Sequence, residues 1–408
     1  MESNRNLHTN YKRVIATAEE DWDLSQNNKL SNLNVEVIRP NYLKDQYGRY
    51  LHHFCTTSYL GLDYHPDLLK GATQAIRSTG TLRIANSKNR CKLSLLEEYE
   101  ADLSNLFQSH CLATLSCSAA SAGVLPLLAA GIFTGNKAPA MAFDRFAHYS
   151  MNHVKAVCAD ETEVLTLPHN DMDQLESLCR SRQRVAYIAD GFYSMGGAAN
   201  INSLLYLQDR YGLFLYLDDS HALSTVGHKG WGHARSSINE LGENTLIVAS
   251  LGKAFAAGGG LAMFGDARHK RLVQRYGGPS NWSQSLNVAA IGAGKASIAL
   301  HHSPLLNHRQ QQLQENLQLF DSLIGCEQSC SPSPIRLIQV TDAIKANRAS
   351  AYLADNGFLT SAVFFPVVPK NQAAVRITLR ADMEPSLIKL FCKHLAEFLE
   401  SDHPRISC

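Results

Sequence analysis

The sequence predicts an α/β protein: a large domain built on a mainly parallel sheet, followed by a smaller α+β domain. Two observations carry this. Between residues 113 and 264, short apolar runs bounded by polar or turn residues alternate with helical stretches. Beyond Ser331-Pro332-Ser333-Pro334 the order changes to strand, helix, strand, strand, helix. A chain of 408 residues also exceeds one simple core and suits two or three domains of ~100–200 residues each.

Taken in order, residues 1–54 are polar and mixed, and read as an N-terminal arm. Asp67 to Ser78 and Leu93 to Leu106 read as helices; in the second, Leu95, Leu96, Tyr99, Leu103 and Leu106 recur near helical spacing. The expected strands are Ala113 to Ser116, Ala140 to Phe143, Val164 to Leu167, Val185 to Asp190, Phe214 to Asp218, Leu246 to Ser250 and Gly260 to Phe264. Runs this apolar fit strands buried on both faces. Leu286 to Leu300 reads as a long helix. Ile335 to Val340, Ala343 to Asn356, Leu359 to Pro366, Val375 to Leu379 and Pro385 to Leu399 complete the chain. The expected domains are therefore 1–54, 55–300 and 301–408.

Composition excludes several functions. Hydrophobic residues make up 45% and charged residues 18%, as in ordinary globular chains. The 38 basic and 37 acidic residues leave a net charge of +1 with no charge block, so neither nucleic acid nor an anionic membrane is an expected partner. The start, MESNRNLHTNYKRVIA, lacks the apolar core of a signal peptide. Apolar stretches such as Val124 to Ile132 fall short of the ~20 residues that span a bilayer. A cytoplasmic enzyme acting on small molecules is the expectation. The ten cysteines are scattered, and the pair Cys326/Cys330 has no second Cys/His pair at zinc spacing, so reduced thiols and no metal are expected.

The chemistry gathers at strand ends, where open α/β sheets bind ligands. Leu215-Tyr216-Leu217 runs into Asp218-Asp219-Ser220-His221. A carboxylate there can pair with a protonated ring nitrogen, although alone it reads better as a helix cap. Ser250-Leu251-Gly252-Lys253 places an amine past the next strand end. Alone, Lys253 is a solvated loop lysine, but the small residues Ala256 to Gly260 after it permit close approach of a ligand. His148 follows another strand in Asp144-Arg145-Phe146-Ala147-His148.

The order Ser118, His148, Asp218 with His221, then Lys253 resembles fold-type I enzymes of pyridoxal 5′-phosphate (PLP), and more narrowly the α-oxoamine synthases. That family includes 8-amino-7-oxononanoate synthase, 2-amino-3-ketobutyrate ligase, serine palmitoyltransferase and quorum-sensing autoinducer synthases. Ser58-Tyr59-Leu60-Gly61-Leu62 with His65-Pro66, Asp190 to Met195, Asp218 to His221 with Gly227, Gly230 and Gly232, Ser250 to Ala254, and Val375-Arg376-Ile377-Thr378-Leu379 carry the resemblance from about residue 55 onward.

The resemblance implies a role for each residue. Lys253 would bind PLP as a Schiff base, and Asp218 would keep the ring nitrogen protonated. His148 would stack on the ring, while Ser194 and His221 would bond its 3′-oxygen. Ser250 and the backbone at Ser118, Ala119 and Ala120 would hold the phosphate. Arg376 would bind the amino-acid carboxylate, with Ser58 also on the substrate side. Gln284 stands where the family carries a Thr that reaches the neighbouring subunit's phosphate. Ser118 to Gly123 and Ser194 to Ala198 also depart from the family pattern. The implied reaction is decarboxylative condensation of an amino acid with an acyl thioester to an α-aminoketone, by a homodimer with active sites at its interface, in secondary metabolism or signalling. An aminotransferase or another Cα lyase on the same fold is the alternative.

Overall fold

The computed structural model describes His8 and residues 11–401. They fall into two compact units, one of residues 62–308 and one of residues 11–61 with 309–401. In chain order the strands are β1 (Val35–Arg39), β2 (Tyr42–Asp45), β3 (Tyr50–His53), β4 (His110–Thr114), β5 (Ala140–Asp144), β6 (Val164–Leu167), β7 (Val185–Asp190), β8 (Phe214–Asp218), β9 (Thr245–Ser250), β10 (Gly260–Phe264), β11 (Ile335–Gln339), β12 (Phe358–Leu359), β13 (Ser361–Val363) and β14 (Ala374–Thr378).

The larger unit is built on a seven-stranded sheet in the order β4-β10-β9-β8-β7-β5-β6. β10 runs antiparallel to both its neighbours, and the pairs from β9 to β6 are parallel. Every residue of β5, β7, β8 and β10 is buried. Alternate side chains enter opposite layers, as the strand repeat of two requires. Ala142, Tyr187, Leu215, Leu217, Ile247 and Met263 pack in one apolar cluster. Met141, Phe143, Ile188, Tyr216, Val248 and Phe264 pack in the other. The helices Ser94–Phe107 and Ile201–Tyr211 feed the first layer, and Cys117–Ala129 feeds the second. Two buried faces explain why these strands read as apolar runs rather than as alternations.

The smaller unit holds a four-stranded sheet, β1-β2-β3-β12, and a three-stranded sheet, β11-β14-β13. Two sequence expectations change here. Residues 11–54, expected as part of an N-terminal arm, carry the helix Tyr11–Asn27 and β1–β3, and β3 pairs in parallel with β12. The segment expected as one strand from Leu359 to Pro366 is two short strands in different sheets. A pairing between residues about 300 apart leaves no trace in local periodicity. In the larger unit the strand expected at Ala113 to Ser116 lies earlier, as β4, because Ser116 caps the helix Cys117–Ala129.

Gly260 begins β10 where it faces the turn after β4. A Cβ at this position would run into the Ser116 carbonyl carbon and the Cys117 nitrogen, which are backbone atoms that cannot swing aside. Gly260→Ala should therefore destabilise the chain by ~1–3 kcal/mol, the usual cost of overpacking, measured as a lower midpoint in urea unfolding.

Candidate active site

β5, β7, β8 and β9 are parallel, so their carboxyl ends share one edge of the sheet. Asp190 and Asp218 are register partners at that edge. The chain leaves β8 through a tight turn in which every residue from Asp218 to His221 is buried. The Ser220 amide donates to Asp218 Oδ1 at 3.0 Å, and the Ser250 amide donates to Ser220 Oγ at 2.7 Å. The ends of β8 and β9 are stitched together in this way. Past β9, Lys253 Nζ lies 2.8 Å from His221 Nε2.

Asp218 is the polar centre. Besides Ser220, its carboxylate accepts hydrogen bonds at Oδ2 from Ser150 Oγ at 3.2 Å and Cys117 Sγ at 3.4 Å. Burial beside this carboxylate pushes the Cys117 thiol well above its ordinary range. Neither Ser150 nor Cys117 was singled out from sequence. Ser150 lies two residues past His148, and Cys117 lies next to Ser118, so proximity to marked residues was the available signal.

His148 caps the short helix Tyr149–Asn152. Its Nδ1 accepts the Ser150 amide at 3.1 Å, and its own amide donates to Asp190 Oδ2 at 2.9 Å. Burial, then the neighbouring Asp218, push the Asp190 carboxyl far above the carboxylate range. The turn that carries His148 starts at buried Asp144, which accepts from Tyr187 Oη at 2.8 Å, the Phe146 amide at 2.7 Å and His169 Nδ1 at 3.0 Å. Burial would raise the Asp144 carboxyl, but the bonds from His169, Asn170 and Phe146 outweigh it and hold the group below its ordinary value.

The helix Cys117–Ala129 points its start at the same edge. Ser116 accepts the Ala119 amide on its side chain and the Ala120 amide on its carbonyl, both at 3.1 Å. Those two expected phosphate contacts are thus already engaged within the cap. Cys117 and Ser118 are the first two residues of the helix, and their amides have no intrahelical acceptor. Ser118 is exposed. Helix starts of this kind suit an anion.

A further tie fixes the Lys253 loop. Ser297 Oγ, on the helix Val288–His301, donates to the Phe255 carbonyl at 2.6 Å. His301 Nδ1 donates to the Ser297 carbonyl at 2.8 Å, so its Nε2 accepts from Ser224 Oγ at 2.8 Å. Burial pulls the His301 ring down to about 4, so it stays neutral. One helix thereby holds both the loop after Lys253 and the loop after His221.

Ser194 follows Tyr193 in a turn that Gly196 and Gly197 close, each with φ of 84°. Gln284 accepts from Arg83 in the segment before Val288. Arg376 and Ser58 belong to the smaller unit. Arg376 is 8% exposed on the central strand of its sheet, beside Tyr59, and is no surface arginine. The Ser58 hydroxyl is buried with no hydrogen-bond partner among the described residues.

This donor set fits PLP: an amine, a buried carboxylate, an imidazole and free helix-start amides share one edge. A Cβ on Gly259 would meet Leu286 and the Thr114 carbonyl.

The aminotransferase class I and II family model matches residues 53–395. The chain belongs to that family and is a fold-type I transferase that uses PLP. Its relatives are α-oxoamine synthases. The 8-amino-7-oxononanoate synthase of Arabidopsis thaliana is 29% identical over 368 residues, covering 86% of this chain and 75% of the relative. The 2-amino-3-ketobutyrate coenzyme A ligase of Escherichia coli K12 is 28% identical over 359 residues, covering 84% and 85%. Among solved structures, the serine palmitoyltransferase of S. paucimobilis with a bound PLP–myriocin aldimine shares the fold, with a TM-score of 0.85 at 17% identity over 97% of this chain and 99% of that one.

Asp219 is fully buried in the turn after β8. Its Oδ2 accepts the Ala234 amide at 2.9 Å, while buried Oδ1 has no partner among the described residues. Cβ atoms on Gly191 or Gly232 would strike its oxygens, so both glycines make room for it. Burial pushes the carboxyl up to about 7. The unfolded chain releases this proton near ~4, so the folded state holds the extra proton between those values. The associated stability is complete below about pH 4 and is lost as pH rises through about 7. Asp219→Asn should remove that dependence. In urea unfolding it should gain on the order of 2 kcal/mol relative to the unsubstituted chain between about pH 5 and pH 8.

Proposed function

We propose that the chain condenses an amino acid with an acyl thioester, with loss of carbon dioxide, to give an α-aminoketone. The 2.8 Å contact of Lys253 with His221, beside buried Asp218, carries the reading. The names of the relatives supply the reaction class.

PLP, when bound, supplies an electron sink for negative charge at the amino-acid Cα. Lys253 provides the amine for its aldehyde. An amine attacks only when neutral, and His221 Nε2 gives its proton a place to go. Asp218 would pair with the ring nitrogen and keep it protonated. His148 would lie against the ring, and Ser194 with His221 would take the 3′-oxygen. The amides of Cys117 and Ser118, with Ser250, would hold the phosphate. Lys253 would serve as the base for the Cα proton. Arg376 is assigned the amino-acid carboxylate on its likeness to the family motif, as a buried guanidinium with a bidentate face.

A C₂ homodimer is supported by exposed Leu82, Ile84 and Trp282, on two segments bound to each other through Arg83 with Gln284 and Val288 with Leu82. A cytoplasmic setting is supported by the free thiols, such as buried Cys111, Cys117 and Cys158. No described helix is long and apolar enough to cross a membrane.

Two experiments test the reading. Borohydride reduction of the PLP-loaded protein should fix a pyridoxyl group on the peptide containing Lys253, and Lys253→Ala should abolish it; a label on another lysine would overturn the assignment. Amino acid and acyl-CoA together should release CoA and carbon dioxide in equal amounts. Stoichiometric pyridoxamine phosphate with no CoA would mark an aminotransferase instead.

A further inference from the structure

We propose that Ser150 is a positioning residue that couples the protonation of His148 to the charge on Asp218. The inference rests on the reading that Asp218 faces the PLP ring nitrogen and His148 the ring.

One hydroxyl proton links the two groups. A serine hydroxyl has a single hydrogen to donate. Ser150 Oγ lies 2.9 Å from His148 Nδ1 and 3.2 Å from Asp218 Oδ2. The Ser150 amide donates to the same Nδ1 at 3.1 Å, so in the neutral ring Nδ1 carries the lone pair and Nε2 the hydrogen. A carboxylate has no proton to give, so toward Asp218 the hydroxyl can only be the donor. Nδ1 and Oδ2 therefore compete for one hydroxyl hydrogen while His148 is neutral.

Protonation of Nδ1 ends the competition. The ring then donates to Ser150 Oγ, and the hydroxyl hydrogen turns to Asp218. No covalent bond breaks; the added proton stays on the imidazole. Cationic His148 and anionic Asp218 stabilise each other through the hydroxyl, although the Ser150 amide loses its acceptor. The two protein groups assigned to the cofactor's face and to its ring nitrogen are thus linked in charge.

Other groups face this chain of bonds. Asp190 accepts the His148 amide, and Cys117 donates to Asp218. Lys253 acts electrostatically on Asp190 and Cys117, and Asp144 acts on Asp190. On the same short segment, Tyr149 and His153 stack at 5.5 Å. None of these is replaced in the test, so their contribution is common to all the Ser150 variants.

The test is an NMR titration of ¹⁵N-labelled histidine in the apoenzyme, with the His148 signal assigned by its loss in His148→Asn. Ser150→Ala should lower the His148 midpoint by about one pH unit, the size of one lost charge-assisted hydrogen bond. Ser150→Thr keeps the hydroxyl and should restore it. In the PLP-loaded enzyme, the cofactor absorbance should show an inflection at the His148 midpoint that Ser150→Ala displaces. An unchanged midpoint in Ser150→Ala overturns the proposal. Should that variant not fold, Ser150→Cys, a weaker donor and acceptor, must lie below Ser150→Thr, and equal midpoints overturn it as well. The apoenzyme result is independent of the proposed reaction: a chain that bound no PLP at Lys253, yet showed the Ser150-dependent midpoint, would sink the function and leave the coupling intact.

Discussion

Asp218 is 2% exposed, and a carboxylate taken that far from water must recover its hydration from hydrogen bonds. Its donors come from three places: Ser220 in its own turn, Ser150 after β5 and Cys117 after β4. That demand draws three loops to one point on the sheet edge. Secondary ties then spread from it, through Ser220 to Ser250 and through Ser150 to His148. Ser250 and His148, both named from sequence, are thus tied to one buried carboxylate.

The surrounding acids divide by environment. Asp144 collects donors from His169, Asn170, Phe146 and Tyr187 and is held as an anion that braces the turn before His148. Asp190 and Asp219 are buried beside Asp218, and burial pushes both toward the protonated form. Three adjacent buried carboxyls cannot all be charged at low cost. Asp218 is the one of the three that accepts from Ser150 and Cys117.

The parallel sheet was legible because strands buried on both faces must be apolar throughout, as Val185–Asp190 and Phe214–Asp218 are. Lys253, His148 and Asp218 were named because strand ends mark ligand edges, and they lie past β9, past β5 and at the end of β8. What stayed hidden depended on long-range contact. The helix Tyr11–Asn27, the strands β1–β3 and the long helix Pro304–Leu323 were missed or read as irregular. Ser150 and Cys117 are common residue types whose importance comes only from the carboxylate they touch. Ser118, Ala119 and Ala120 were named for the phosphate; of these, the Ala119 and Ala120 amides bond to Ser116, the helix cap.

β10 is the strand that runs against its neighbours, and its direction decides how the lysine is mounted. The chain from Ser250 to Gly260 turns back along the same edge instead of crossing the sheet through a helix. Hydrogen bonds between Leu251 and Gly259, Leu251 and Ala257, and Lys253 and Ala256 close this short loop on itself. A short closed loop has little conformational entropy left to lose. Lys253 is in effect a clamp with both jaws bolted to the same plate: its backbone is anchored whether or not anything is bound, and only the four-carbon stem is left to travel between His221 and a ligand.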